Sequence, residues 1–388
     1  MAAGISLHGA YLDNVLPGTT AKPVNDFTYS ILPTVSLERA TARQEATVTY
    51  NPSFIFYEPT SVLDTVDQSA ALVYEYRFSP GLAVSAQNYF VRTSNVFDQS
   101  YSFSQAGVTG STQLPTPSVI APFTEQMTEN CSGNVSYQFG RNGMVGAGAN
   151  FDIFDLPNSS QVTGLYNSHS EGGSAFYSRR FTRAQYAGFV YQYDQVIASP
   201  VNAQSDTQTH LLLPFYTVYF SRTFSLSVSA GAQHFAVSET QVPTTASWSP
   251  SAVVSMGWQG ARGSVAASYS RTVSSGGGLL GAFNTNSINA GGTWKIARTW
   301  TASLGGAYSV IKNVTPNVAS LLGLTYLGGH TILGNVSIAH AMGEHFNLGF
   351  GYQRLHEDYG SVAVIAADPD SDQGFVTVTY QFKRAMGR

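Results

Sequence analysis

Few side chains in this sequence are arranged for metal binding. The eight histidines show neither an HExxH motif nor a pair at metal-ligand spacing. Asp368, Asp370 and Asp372 are spaced like the opening of a calcium loop, but Gly374 comes one position late and Thr379 stands where the closing glutamate belongs. We interpret this stretch as a solvated loop that leads into the last strand. The sequence therefore predicts no metal site and no cofactor.

The sequence also contains little that indicates catalysis or nucleic-acid binding. Serine is so abundant that no particular Ser-His-acid trio can be selected, so we expect no enzyme activity. Gly146–Gly148 lies in an alternating strand, and Ser275–Gly278 is not followed by the Lys and Ser/Thr of a phosphate-binding loop. Cys131 is the only cysteine, so the chain has no disulfide framework. The net charge of -4 argues against nucleic acid.

One set of polar side chains could serve transport. In strands where apolar and polar residues alternate, the polar face carries charges of both signs and several tyrosines. The candidate lumen-lining residues are Glu45, Glu75, Arg77, Asp152, Arg180, Asp194, Lys295, Tyr89 and Tyr186. The charges could simply pair across strands, or they could line a pore for neutral polar solutes, with tyrosine rings that suit sugars. The sequence leaves both interpretations open.

The strands that would position these residues alternate with a period of two. In the last strand, 373–382, Val376 and Tyr380 lie on one face, whereas Thr377 and Thr379 lie on the other. A soluble sheet buries its apolar face, but an outer-membrane barrel turns that face toward lipid and the polar face toward a lumen. Because the same alternation recurs along the whole chain, we favour the barrel.

The composition agrees with this choice. Charged residues make up 11% of the chain, against roughly 25% in ordinary soluble domains. The mean hydropathy is only -0.04, because Gly, Ser, Thr, Asn and Gln replace the missing charge. No stretch approaches the roughly 20 apolar residues of a membrane helix. Strands with one lipid face and one neutral polar face would have this mixture.

Short and long connections alternate along the chain, as they do in outer-membrane barrels. Clear short turns are predicted at 79–81, 140–143, 182–183, 221–222, 260–263, 297–298 and 343–345. Longer connections are predicted near 15–26, 58–66, 95–127, 155–167, 197–206, 238–247, 274–284, 312–330 and 357–371. Aromatic residues beside the short turns predict an interfacial girdle formed by Phe78, Phe139, Phe181, Phe220, Trp258, Trp294, Trp300 and Phe382.

We therefore predict an all-β fold, a transmembrane antiparallel up-and-down β-barrel of about 18 strands, formed by residues 1–388 as a single domain. The first strand is expected near 4–14, the last at 373–382, and a short tail at 383–388. Strand counts of 16 to 20 stay open because 312–342 can be divided in more than one way. A propeller or solenoid would also contain repeated hairpins, but no fixed repeat period is present.

The opening of the chain resembles a group of outer-membrane β-barrels encoded with bacterial exopolysaccharide synthesis and export systems. In that group an Asp-Asn pair ends the first strand and a second strand with a central proline leads into a short polar turn. The matching residues here are Asp13, Asn14 and Pro33, followed by the turn 39–43. The resemblance implies a conduit or partner for polysaccharide export, and it carries no catalytic residues.

The expected function is a porin-like channel in a bacterial outer membrane, which passes polar solutes or exported polysaccharide. A plugged barrel that acts through its extracellular loops is the alternative, and a lipid-modifying enzyme ranks third. Expected partners are lipid and lipopolysaccharide, the barrel-assembly machinery through the C-terminal strand, and polysaccharide with periplasmic export components.

Two segments carry further expectations. Loop 95–127 occupies the third long-loop position and, by analogy with general porins, is predicted to fold inward and narrow the channel. The N-terminus lacks a charged segment followed by an apolar core. If the chain is an outer-membrane barrel, we expect its export signal to have been removed or to precede Met1.

Overall fold

Eighteen antiparallel strands form one closed sheet. The computed structural model describes residues 2–15, 23–58, 60–99, 124–157, 165–199, 204–239, 242–274, 279, 281–314, 328–358 and 370–383. The strands are β1 (Ala2–Leu12), β2 (Asp26–Ala40), β3 (Gln44–Glu58), β4 (Thr65–Ser79), β5 (Leu82–Thr93), β6 (Gln126–Phe139), β7 (Gly143–Asp155), β8 (Ser168–Arg180), β9 (Gln185–Ala198), β10 (Ser205–Tyr219), β11 (Phe224–Glu239), β12 (Val242–Gln259), β13 (Gly263–Ser274), β14 (Phe283–Lys295), β15 (Trp300–Asn313), β16 (Gly328–Met342), β17 (Phe346–Asp358) and β18 (Asp370–Lys383).

Each strand pairs with its neighbours in sequence, and β1 closes the sheet against β18, where Leu7 lies opposite Val378. Closure leaves no unpaired sheet edge, which is how a β-sheet can lie in lipid without exposing backbone polar groups. The predicted antiparallel barrel of about 18 strands is therefore confirmed. β1 begins and ends two residues earlier than predicted, and β18 begins three residues earlier and includes Lys383.

The two faces of the sheet differ in the expected way. Large apolar side chains are exposed at alternate positions, and residues directly opposite each other in neighbouring strands share a face. Leu7 is exposed, as are its register partners Ile31 and Val378. The positions between them carry Ser, Thr, Asn, Gln and Gly, several of them buried. We call the first face outward and the second inward.

The connections alternate as predicted, with one exception. The connections 41–43, 80–81, 140–142, 181–184, 220–223, 260–262, 296–299 and 343–345 define the short-turn end. Gly140 and Gly343 have φ values of 61° and 73° in two of these turns, a conformation that favours glycine. At the opposite, long-loop end, the prediction of a long connection at 238–247 was wrong, because β11 ends at Glu239 and β12 begins at Val242. The ladder between these two strands continues past a bulge after Val237, so 238–239 and 242–247 form strand instead of loop.

The aromatic residues beside the short turns lie on the outward face. Phe78, Phe181, Phe220 and Phe382 are all strongly exposed. Trp258 stacks on Trp294 with ring centroids 5.9 Å apart, and Trp300 stacks on His340 at 4.3 Å. Amphipathic rings at this depth suit the boundary between lipid tails and water.

Outward polar residues mark the opposite boundary. Arg354 contacts Asp370 at 3.1 Å and Asp372 at 3.6 Å on the outward face near the long-loop end. From Phe346 to Arg354, a strand tilted by about 40° rises about 20 Å along the membrane normal. That height is close to the apolar band of about 25 Å around outer-membrane barrels.

Two short helices occur in the described connections, a 3-10 helix at Ser61–Leu63 and α1 at Val96–Gln99. No helix in the described ranges is long and apolar enough to cross a membrane.

Candidate functional site in the barrel interior

The inward face is lined mainly by hydroxyl and amide groups. From β10 to β16 the inward positions hold mostly Ser, Thr, Asn, Gly and Ala. Hydroxyls on neighbouring strands pair with each other, for example Thr217 with Ser227 at 2.9 Å and Ser303 with Ser337 at 2.6 Å. This half of the wall is polar and uncharged through most of its height.

The other half of the wall carries the charges. Asp152 on β7 and Asp194 on β9 lie near the long-loop end and share one amide, because Asn150 Nδ2 lies 3.3 Å from an oxygen of each carboxylate. Within the described residues, no Lys or Arg contacts either carboxylate. The pair is satisfied by amides and a hydroxyl rather than by cations.

Three further side chains complete this group. Asn130 donates to Asp152 at 2.8 Å and Ser170 donates to it at 2.9 Å. Gln192 donates to Asp194 at 2.6 Å. Hydrogen bonds of this number hold both carboxylates in fixed positions on the wall. We call Asn130, Asn150, Asp152, Ser170, Gln192 and Asp194 the carboxylate–amide patch.

A second charged group lies nearer the short-turn end. Arg77 donates to Glu75 at 2.7 Å, and Glu45 lies directly opposite Glu75 across β3 and β4. Arg180 and Lys295 occupy inward positions at the short-turn ends of β8 and β14. The short-turn end therefore carries both signs, whereas the patch is acidic.

The strand register places the two predicted tyrosines, Tyr89 and Tyr186, on the inward face. Tyr89 lies opposite Asn130 on β6. Tyr186 meets Tyr219 edge to face at 5.8 Å near the short-turn end. Every one of the nine candidate residues thus occupies an inward position, but the structure joins only Glu75 with Arg77, and Asp152 with Asp194. Their role in lining a channel stays a prediction.

The described start of the predicted constriction loop lies inside the barrel. Val96 and Phe97 of α1 follow β5, yet they pack with Ala10, Leu12 and Leu355 on β1 and β17. Phe97 is 3% exposed, so this contact is tight. Residues 100–123 lie outside the described residues. That the whole loop narrows the channel therefore stays a prediction.

The described part of the chain shows no grouping of side chains for metal binding or for a Ser-His pair. No cluster of three metal-binding side chains occurs there. Of the calcium-like run, Asp370 and Asp372 bond to Arg354, and Asp368 lies outside the described residues. Among the described histidines, His8 bonds to Thr377 and His210 bonds to Tyr191, so neither is paired with a serine.

Several residues of the site were not among the sequence candidates. Asn150 lies two residues before Asp152, and Gln192 lies two residues before Asp194. Residues two apart in a strand share a face, so the alternating pattern could have identified both. Val96 and Phe97 gave no such signal, because an apolar pair in a loop does not show which strand it will contact.

A closed barrel with an apolar outward face, an aromatic girdle and a polar inward face defines the class of the protein. It is an integral β-barrel protein of an outer membrane, since closed barrels are the form in which β-strands cross membranes. No family model matches the chain, and no curated protein matches it.

Solved structures with similar topology include membrane transporters and porins. The FrpB iron transporter from Neisseria meningitidis aligns with a TM-score of 0.48 and 9% identity, covering 98% of this chain and 81% of that chain. OccAB4 from Acinetobacter baumannii aligns with a TM-score of 0.42 and 11% identity, covering 98% of each chain. A bacterial polysaccharide outer membrane secretin aligns at 0.36 and 8%, again covering 98% of each. Likenesses this distant identify neither a family nor a function for the chain.

Proposed function

We propose that the protein is an outer-membrane channel that lets polar solutes diffuse through its lumen. The observation that carries this proposal is the inward face, where hydroxyls and amides outnumber apolar side chains. The buried apolar side chains of this face, such as Phe235, Phe283 and Ile311, lie near the long-loop end. A barrel of this strand number is wide enough for a water channel unless its loops fill it. Many wall hydroxyls already pair across strands, as Ser303 does with Ser337 at 2.6 Å. Such hydroxyls would bind a passing solute only weakly.

Passage of exported polysaccharide is the finer form of this proposal. It is supported by the resemblance at Asp13, Asn14 and Pro33 to barrels encoded with exopolysaccharide systems. In this form a neutral polymer enters from the short-turn end, which faces the periplasm, and periplasmic export components supply it. Lipopolysaccharide would contact the outward polar residues near Arg354, and β18 would engage the assembly machinery during insertion.

A plugged barrel that acts through its extracellular loops is the second candidate. It is favoured by the inward position of α1, because Val96 and Phe97 reach from β5 to β1 and β17. A plug requires the whole cross-section to be filled, whereas this contact covers one side of the mouth.

Reconstitution separates the two candidates. The full chain is refolded into phospholipid vesicles and planar bilayers, and conductance and swelling in neutral sugars are measured. A channel gives conductance steps and swelling that declines with sugar size. Folded protein that gives neither contradicts the channel and supports the plug, and heat-dependent gel mobility verifies that the barrel had folded.

A further inference from the structure

We infer that the inward wall of β6 to β10 binds a neutral saccharide chain. The inference rests on the proposed function, since the ligand must enter the lumen. It combines the carboxylate–amide patch with two aromatic rings that lie below it toward the short-turn end. Polar groups that fix orientation beside apolar surface are the general composition of a ligand site.

The patch presents acceptors to the lumen because each of its amide groups turns its nitrogen end toward a carboxylate. The amide nitrogens of Asn130 and Asn150 donate to Asp152, and that of Asn150 also reaches Asp194. With its nitrogen end held on a carboxylate, each amide directs its oxygen away from that carboxylate. Within the described residues, no donor contacts the oxygen of Asn130 or Asn150. Free amide oxygens on a fixed frame suit the hydroxyl groups of a sugar.

One hydroxyl in the same row also lacks a partner. Ser132 lies directly opposite Asn150 across β6 and β7. It is 8% exposed, and its Oγ has no hydrogen-bond partner in the part of the chain that is described. Because that Oγ is closed to the lumen, a ligand would contact Asn150 rather than Ser132.

Glycines make room for the patch against the wall. Gly172 on β8 lies between Asn150 and Asp194 in register. A Cβ at Gly172 would lie 2.6 Å from Asn150 Oδ1 and 2.8 Å from the backbone oxygen of Tyr193. The absence of a side chain therefore lets the two polar groups lie close to the sheet and leaves the space above them for a ligand.

Two phenylalanine rings extend the site toward the short-turn end. A Cβ at Gly146 would lie 2.6 Å from Cζ of Phe176, and one at Gly188 would lie 2.8 Å from Cζ of Phe215. The far ends of both rings thus rest over cross-strand glycines, so each ring lies along the wall. Both rings are half-buried and turn a face to the lumen, where the apolar face of a pyranose could stack.

The charge of the patch selects the ligand. Asp152 and Asp194 have no Lys or Arg contact within the described residues, so an acidic polymer would be repelled at this height. A neutral saccharide offers hydroxyl donors without that repulsion. The structure thus points to neutral sugars rather than uronic acids.

Single-channel recording with cellohexaose tests the inference. Added on the short-turn side, cellohexaose should block the wild-type current, and hexagalacturonate should block it more weakly. Phe176→Leu and Phe215→Leu keep an apolar side chain but remove the aromatic ring on which a sugar would stack. Each should raise the cellohexaose concentration that blocks half of the current about tenfold. Phe176→Tyr should restore block. Phe189→Leu is the matched control, because Phe189 lies next to Gly188 on β9 but is exposed on the outward face.

The outcomes separate this inference from the channel itself. A channel that conducts but is not blocked, or one in which Phe189→Leu weakens block as much as Phe176→Leu does, overturns the saccharide site and leaves the channel standing. If the protein does not conduct, calorimetric titration of the folded barrel in detergent with cellohexaose replaces the recording. Binding weakened by Phe176→Leu then supports the site while the channel fails, and no heat of binding overturns the site.

Discussion

The carboxylate of Asp13 accepts the backbone N–H of Asp372 at 2.7 Å, and the backbone N–H of Asp13 donates to the carbonyl of Asp372 at 3.1 Å. These bonds join the end of β1 to the start of β18, where the barrel closes. Asn14 continues the seam by donating to the Asp370 carbonyl at 3.0 Å and accepting from Ser371 Oγ at 3.0 Å. The Asp-Asn pair of the sequence resemblance thus has a structural role at the barrel seam.

Removal of the Asp13 side chain should loosen this seam. Asp13→Ala deletes an acceptor and leaves the Asp372 N–H unpaired, so the free energy of unfolding should fall by about 1–2 kcal/mol. Urea unfolding in phospholipid vesicles, followed by tryptophan fluorescence, measures it. Asp13→Asn keeps an acceptor and should lose less, and equal losses for both variants would contradict the hydrogen-bond explanation.

The same residue should make stability depend on pH. Burial raises the pKa of the Asp13 carboxyl above its ordinary value of 3.8, and the nearby charges of Asp372 and Asp370 raise the pKa further, while the Asp372 N–H opposes them. The folded state therefore takes up a proton at higher pH than the unfolded state. Stability from this group should rise as pH falls from the raised pKa to 3.8, and stay constant below.

Unfolding curves from pH 7 to pH 4 test this dependence. The difference in stability between wild type and Asp13→Asn should shift in favour of wild type as the pH falls, since asparagine cannot take up the proton. A difference that is constant across this range would show that Asp13 titrates normally.

Cys131 reports which face meets lipid. It is exposed on the outward face, opposite Phe151 on β7. A nitroxide attached to Cys131 in vesicles should be relaxed more by oxygen than by a water-soluble nickel chelate. Asn130→Cys in a Cys131→Ser background places the label on the inward face and should reverse this preference. Two labels with the same preference would refute the orientation of the sheet.

Gly172 and Gly173 form a matched pair for testing the patch. A Cβ at Gly172 would press on Asn150 and the Tyr193 backbone, whereas one at Gly173 would meet only the Gly148 carbonyl oxygen at 3.8 Å. Gly172→Ala should cost about 1–3 kcal/mol of unfolding free energy, as overpacking does. Gly173→Ala should be nearly neutral in the same urea titration. A reversed order would mean that the patch does not lie against Gly172.

Phe97 is predicted to hold α1 against the inner wall at the long-loop end. Phe97→Ala removes a ring that is 3% exposed and should release α1 from β1 and β17, because such a change removes about 3–5 kcal/mol of packing. Single-channel conductance should then increase. Val62→Ala, at a site 90% exposed, serves as the control and should leave it unchanged. Unchanged conductance in Phe97→Ala would show that α1 does not restrict the flow.

Local sequence pattern was sufficient for much of the fold. Phe350 and Val378 were assigned to the apolar face by parity, and both are exposed, as are Phe346 and Val376 at alternate positions. The hairpin of β11 and β12 was underestimated, because its polar residues resemble a loop until they are seen paired.

The sequence by itself determined which side chains share a face, because a strand alternates with a period of two and each residue's parity is a local property. Only the tertiary structure decided which distant groups meet. Asp152 and Asp194 come together through Asn150, Asp13 meets Asp372 at the seam, and Phe97 reaches Leu355. These contacts depend on the stagger of the strands and the closure of the sheet, which are set by all eighteen strands together and by no single segment.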